Sequence, residues 1–299
     1  MNGFDFSKLF ILDLANNHQG DLQHGLKIIK STGDVVRNSE IRAAFKFQFR
    51  HLETFIHPDY KERKDLKHIP RFMSTQLSKD DFVRLTEEVR NQGMITISTP
   101  FDEPSVEMVL DLDIEVIKVA SCSALDWPLL EYIAEVNRPV IISTAGLLLY
   151  QIDRIVSFFK KKRINFALMH CVAIYPTPVE RLGLNFISIL KNRYPDIPIG
   201  FSTHENPNNL SPVRVACAKG AELFERHVGI QTNKYELNAY SSTPEQIAQW
   251  ITACYEAMEM CGGDEKSPAH PDELSSLRSL MRGVFAAEKI KKDQRIDRQ

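Results

Sequence analysis

Ala43-Ala44-Phe45-Lys46-Phe47 is a short apolar run with a single ammonium set inside it. A stretch so brief and so nearly continuous suits a strand covered on both faces. Seven more runs of this kind lie at Leu9–Leu14, Met94–Ser98, Val116–Ala120, Pro139–Ser143, Asn165–His170, Ile197–Ser202 and Ala221–Arg226. Amphipathic stretches alternate with them, at about residues 22–32, 79–91, 104–111, 128–136, 148–162, 184–193, 210–219 and 244–260. Ser78 with Asp81, and Thr243-Pro244-Glu245-Gln246, are capping-box starts, the second with Pro at the first helical position. Phe82, Leu85 and Val89 give the second helix its apolar stripe. Eight such alternations predict an α/β chain folded as a (β/α)8 TIM barrel. An open doubly wound sheet usually has fewer strands and a Gly-rich first turn that is missing here.

The 299 residues fit one large barrel of about 250. Residues 1–262 form the predicted catalytic barrel. Residues 263–299, fewer than the roughly 40 that can fold alone, either pack on it or belong to something larger. Residues 49–78, with His51, His57, Pro58, His68 and Pro70, make an overlong loop read as a lid or rim. Lys and Arg number 37 against 39 Asp and Glu, a net charge of −2, so no global electrostatic grip on nucleic acid is expected. The basic run Lys160-Lys161-Lys162-Arg163 closes a helix, where cations complement the dipole and face water. No apolar run approaches the roughly 18 residues of a membrane span, and the start lacks a signal peptide's order. The chain reads as cytoplasmic, with no membrane partner. Its five Cys contain no Cys-x-x-Cys pair and read as free thiols.

In such a barrel the chemistry lies at the C-terminal ends of the strands. Those ends carry Asp13, Asn16 and His18; Lys46 and Gln48; Ser98 and Thr99; Lys118 and Ser121; Ser143 and Thr144; His170; Ser202 and His204; Glu225 and His227. Lys46 and Lys118 sit within apolar strands, and burying an ammonium costs several kcal/mol unless an anion answers it. A salt bridge to Asp13, Glu225 or another barrel carboxylate meets that cost for either Lys alone. Two such Lys beside a ring of hydroxyls suit a bound phosphate or carboxylate. His204 and His227 end neighbouring strands, so their imidazoles can converge on a divalent metal. As a bare pair they equally read as ordinary hydrogen-bonded His. His170-Cys171 is no nucleophile and base pair, because adjacent strand residues face opposite ways.

Nine motifs, in order over about residues 8–245, resemble the N-acetylneuraminate (sialic acid) synthase family. They are Phe10-Ile11-Leu12-Asp13-Leu14-Ala15-Asn16-Asn17-His18-Gln19-Gly20-Asp21, Phe45-Lys46-Phe47-Gln48, Ser98-Thr99-Pro100-Phe101-Asp102, Ile117-Lys118-Val119-Ala120-Ser121, Ile142-Ser143-Thr144-Ala145-Gly146, Met169-His170-Cys171, Tyr175-Pro176, Gly200-Phe201-Ser202-Thr203-His204 and Glu225-Arg226-His227. The resemblance implies condensation of phosphoenolpyruvate with an open-chain aldose or aminosugar, giving a 3-deoxy-2-keto acid and phosphate, in a homodimer. It implies that Lys46, Thr99, Lys118, Ser121, Ser143 and Ser202 hold phosphoenolpyruvate and that Gln48 and Tyr175 border substrate. By the same resemblance His204 and His227 bind Mn2+ or Mg2+. Asp13 stands where the family usually has Glu, one methylene shorter, and keeps a carboxylate for proton transfer.

The acceptor half departs from the pattern. Ser123 replaces a Glu that grips the sugar, Cys122 replaces Gly, Ala173 replaces Asn, and Glu236-Leu237-Asn238 stands for Gly-Pro-Asp, with Asn238 on the family's Asp. Losing two carboxylates should cost several kcal/mol in recognition of N-acetylmannosamine, so a different acceptor, or a different way of holding it, is expected. Arg278-Ser279-Leu280 and Ile290-Lys291-Lys292-Asp293-Gln294 resemble the linker and first residues of an antifreeze-like domain, expected to be absent or removed here. Two other readings stand beside this one. One is a Schiff-base aldolase using Lys46 or Lys118; the other is a degenerate barrel that binds phosphoenolpyruvate or a sugar acid without turnover.

Overall fold

The computed structural model describes residues 3–63, 65–263 and 265–296. Eight strands alternate with helices: β1 (Leu9–Asp13), α1 (Leu22–Ser39), β2 (Ala43–Phe49), α2 (Leu52–Phe55), α3 (His68–Ser74), α4 (Lys79–Asn91), β3 (Ile95–Pro100), α5 (Glu103–Asp111), β4 (Val116–Val119), α6 (Trp127–Glu135) and β5 (Val140–Ser143). Then come α7 (Leu149–Lys162), β6 (Phe166–Cys171), α8 (Asn185–Arg193), β7 (Ile199–Thr203), α9 (Ser211–Ala218), β8 (Leu223–His227), α10 (Pro244–Cys261) and α11 (Pro271–Leu280). The strands pair in chain order and close, β8 against β1, into the parallel barrel the alternations predict.

Period-two alternation sorts each strand into an outer and an inner face. Phe10, Leu12, Phe45, Phe47, Ile117, Ile142, Leu168, Phe201 and Phe224 point outward into the core shared with the helices. Leu9, Ile11, Ala44, Ile97, Val116, Ile141, Ala167, Met169 and Leu223 point inward and, with Phe6, plug the lower barrel. Gly200 stands inside as well, where a Cβ would lie 2.7 Å from the carbonyl oxygen of Leu223, so only hydrogen fits.

Both predicted capping boxes form, around Ser78 and around Thr243. Helix α1 runs seven residues past the expected end at 32, because Gly33 is no stop signal. It is a buried contact point against the side chain of Gln92. Strand β2 continues two residues beyond Phe47 to Phe49, pairing with β3 as far as Pro100. The 49–78 segment holds two short helices, α2 and α3, and a single 3-10 turn at Pro58–Tyr60.

The chain divides into two compact units, Met1–Cys261 and Gly262–Gln299. The second contains α11, whose N-terminus is capped by the His270 imidazole accepting from the Asp272 amide at 3.2 Å. Arg278-Ser279-Leu280 ends that helix, and Lys291 and Gln294 close a turn with each other. Asp264 of the Gly262-Gly263-Asp264 sequence lies outside the described residues.

Candidate active site

One step above the apolar plug, the inner face changes character. Asp13, Lys46, Lys118, Ser143, Ser202, Glu225 and His227 continue the same alternation as Ile11, Ala44, Val116, Ile141, Gly200 and Leu223, and all are buried. The Lys46 ammonium lies 2.8 Å from Glu225 Oε2 and 3.1 Å from Asp13 Oδ2. The Lys118 ammonium donates to Ser143 Oγ at 2.5 Å and lies 3.4 Å from Glu225 Oε1, which also accepts from Ser202 Oγ at 2.8 Å. Glu225 is therefore the hub that joins β2, β4 and β7 to β8.

Burial alone would lower the pKa of Lys46, but Asp13 and Glu225 outweigh it and hold the group above the usual lysine range. Burial would raise Glu225; Lys118 and Lys46 overcome this and push it below the usual carboxylate range. For Lys118 burial prevails over the attraction of Glu225, and its pKa falls. The salt-bridge reading of the two lysines thus holds as geometry. Each ammonium, with three N–H groups, has two polar neighbours within 3.4 Å: Asp13 and Glu225 for Lys46, Ser143 and Glu225 for Lys118.

The remaining expected residues surround this cluster. Thr99 is buried on β3 beside Gln48 of β2, its register partner. Ser121, in the turn after β4, accepts from the Ala145 amide at 3.0 Å and lies 3.3 Å from Cys171 Sγ. Asn238 is committed within the protein: its Nδ2 donates to Asn17 Oδ1, and its Oδ1 accepts from the Tyr240 and Ser241 amides. Ser98, Thr144 and His170 take the outer face; His170 Nε2 lies 2.8 Å from the Leu182 carbonyl oxygen.

His204 and His227 do converge, with ring centroids 5.2 Å apart, and Tyr240 packs against both. Tyr175 lies 4.4 Å from the His204 ring, centroid to centroid. His204 Nδ1 donates to the Val172 carbonyl at 3.1 Å, which leaves Nε2 as a lone-pair donor. His227 Nε2 is 3.4 Å from Asp13 Oδ2, while its buried Nδ1 has no partner. Burial, then the neighbouring His227, takes His204 down to about 3, and burial, against the pull of Asp13, lowers His227, so both sites disfavour the charged ring. Neutral imidazoles with an orphaned nitrogen suit a divalent cation. Among the described residues no group of three or more His, Cys, Asp or Glu could hold a metal ion by itself, so a cation on these two rings would need water or substrate oxygens to complete its shell.

Two residues escaped the sequence-based site. Glu225 stands among the strand-end polar residues, but the sequence gives it no role beyond that of a possible partner of a lysine. Arg50 lies beyond the strand end drawn at Phe47, though Ala44, Lys46, Gln48 and Arg50 follow one another at period two.

A closed parallel barrel with buried charge at its C-terminal mouth is the arrangement in which TIM-barrel enzymes place their active sites. The NeuB family model matches residues 38–266, and the chain belongs to the NeuB family. It is 31% identical to the uncharacterized protein MJ1065 of Methanocaldococcus jannaschii, over 93% of this chain and 79% of that one. It is 27% identical to the N-acetylneuraminate-9-phosphate synthase of Homo sapiens, over 94% and 78%. The N,N'-diacetyllegionaminic acid synthase of Campylobacter jejuni is 24% identical, over 96% and 86%. Among solved structures, one assigned as spore coat polysaccharide biosynthesis protein E from Chromobacterium violaceum superposes with a TM-score of 0.91 at 44% identity, covering 93% of this chain and 83% of that one.

Proposed function

We propose that this barrel condenses phosphoenolpyruvate with the aldehyde of an open-chain sugar to give a 3-deoxy-2-keto sugar acid and phosphate. The observation that carries the reading is the pair of buried lysines around Glu225, beside hydroxyls of three further strand ends. Family membership and relatives named as synthases of sugar acids support it.

Lys46, Lys118, Thr99, Ser121, Ser143 and Ser202 bind the phosphate and carboxylate and orient the enol. C3 of the enol bonds to the aldehyde carbon, whose oxygen takes a proton. Water then adds at C2, and the bond from C2 to the phosphate oxygen breaks. Asp13, held by Lys46 and by the Ala15 amide, takes the proton of the attacking water. His204 and His227 would hold Mn2+ or Mg2+, which supplies Lewis-acid polarisation of the aldehyde when bound. Gln48 and Tyr175 border the acceptor. Asn238, its amide engaged in the loop, contributes by holding the β8–α10 connection. A cytoplasmic homodimer is the setting that goes with this reading.

The test supplies phosphoenolpyruvate, Mn2+ and a panel of aldose and N-acyl aminosugar acceptors, and follows phosphate and keto-acid formation. Acceptor-dependent release of both is expected, and Lys118→Met should weaken phosphoenolpyruvate binding at least tenfold. Silence across the panel, with binding intact, would favour a barrel without turnover. A borohydride-trapped keto-acid adduct on Lys46 or Lys118 would instead make the protein an aldolase.

A further inference from the structure

The deep lysines have carboxylate partners, but a second pair of cations above them does not. Arg50 continues the inner face of β2 four residues beyond Lys46, roughly 13 Å further along the strand. Its guanidinium lies 3.6 Å from the centroid of the Phe101 ring and 4.3 Å from that of Phe72. Nη2 donates to Gln48 Oε1 at 3.2 Å, and the buried Nε has no partner. Asp102, a nearby acid that acts on Arg50 at longer range, accepts from the His51 and Ser105 amides and makes no ion pair with it. Arg71 of α3 reaches the same edge, where it donates to Gln19 Oε1 and to the carbonyl of Asn16. Among the described residues neither guanidinium forms an ion pair.

Asn16, His18, Gln48, Arg50, Phe72 and Gln76 line one cleft at this level. A guanidinium held between two aromatic rings, with its fork directed by an amide, is fixed in position and, among the described residues, has no carboxylate within ion-pair distance. That arrangement matches a planar or tetrahedral oxyanion, which takes two parallel N–H bonds. Burial, against the pull of Cys122, Asp13 and Asp102, lowers Arg50 to about 10, so it remains a cation at neutral pH.

We propose that Arg50 determines acceptor specificity, selecting a sugar that carries a phosphate monoester or a carboxylate at the end remote from its aldehyde. This rests on the condensation reading, with phosphoenolpyruvate on the deep lysines and the acceptor above it.

Calorimetry on the full chain with mannose, glucose, N-acetylmannosamine and N-acetylglucosamine, each beside its 6-phosphate and its 6-carboxylate, tests the idea. Phosphoenolpyruvate binding is measured in parallel. In at least one series an anionic member should bind ten or more times tighter than its neutral parent, and which anion does so identifies the group. Arg50→Gln should erase that preference while neutral-sugar and phosphoenolpyruvate affinities stay within twofold; Arg50→Lys should retain part of it. Equal binding of neutral and anionic members, or no binding in any series, overturns the proposal. So does an equal loss for all ligands in Arg50→Gln, the mark of a merely structural arginine, or a loss confined to phosphoenolpyruvate. Intact phosphoenolpyruvate binding without anion preference sinks this proposal and leaves the condensation reading standing. Anion preference in a protein that does not bind phosphoenolpyruvate does the reverse.

Discussion

Glu225 answers two buried ammoniums with one carboxylate, so its removal exposes both. Glu225→Gln should cost about 3 kcal/mol or more, in the range found when one partner of a buried ion pair is removed. Urea unfolding measures it, and an unchanged midpoint would show that Asp13 and Ser143 suffice for the lysines. His204 gives a second residue-scale prediction. His204→Ala should abolish stimulation by added Mn2+ with the circular dichroism spectrum intact, and full stimulation would remove it from the metal. Lys46, Lys118 and the two imidazoles were legible because each is a polar residue at the end of an apolar run. Glu225 has the same signature, but a sequence cannot say which of several acids meets a given lysine. Arg50 needed only one further step of the period-two count; a strand end placed at Phe47 hid it.

At the scale of elements, packing accounts for most differences between expectation and structure. Helix α1 passes through Gly33, where the side chain of Gln92 packs closely against the bare backbone. Local sequence reads as a stop, and only the tertiary contact reveals a crossing. Gly200 makes the same argument for β7, with less freedom to relax, since the obstacle to a Cβ is the backbone of Leu223. Gly200→Ala should destabilise by about 1–3 kcal/mol through overpacking, read from the denaturation midpoint. A midpoint equal to the parent would mean that β7 and β8 can separate without loss. The eight strands were foreseeable within two or three residues at each end, because a doubly covered strand leaves a dense apolar run. Helices α2 and α3 were not, since they are short and draw their order from ring contacts such as Phe55 with Phe72.

For the whole molecule, stability should depend on pH through buried imidazoles. Burial, then Arg71 and His24, lowers His18 to about 4, well under the 6.5 of a free side chain. The unfolded chain therefore binds the extra proton between those values. The contribution of neutral His18 is complete above about pH 6.5 and is lost as the pH falls toward 4, at about 1.4 kcal/mol per unit. His18→Asn keeps an acceptor for the Gly20 amide, now met by His18 Nδ1 at 3.2 Å. Its unfolding free energy should fall less steeply than the parent's between pH 6 and 4.5, and parallel curves would place His18 outside the linkage.

The apolar plug of Phe6, Leu9, Ile11 and their neighbours closes the barrel from below. A well with a single mouth imposes a queue. Under the proposed chemistry, the molecule that rests on the lysines must enter before the one that rests on Arg50. The joined product must then leave past the same guanidinium that admitted its second half. Binding order is thus set by depth, and an acceptor arriving first would obstruct its own partner, appearing in kinetics as inhibition by excess sugar.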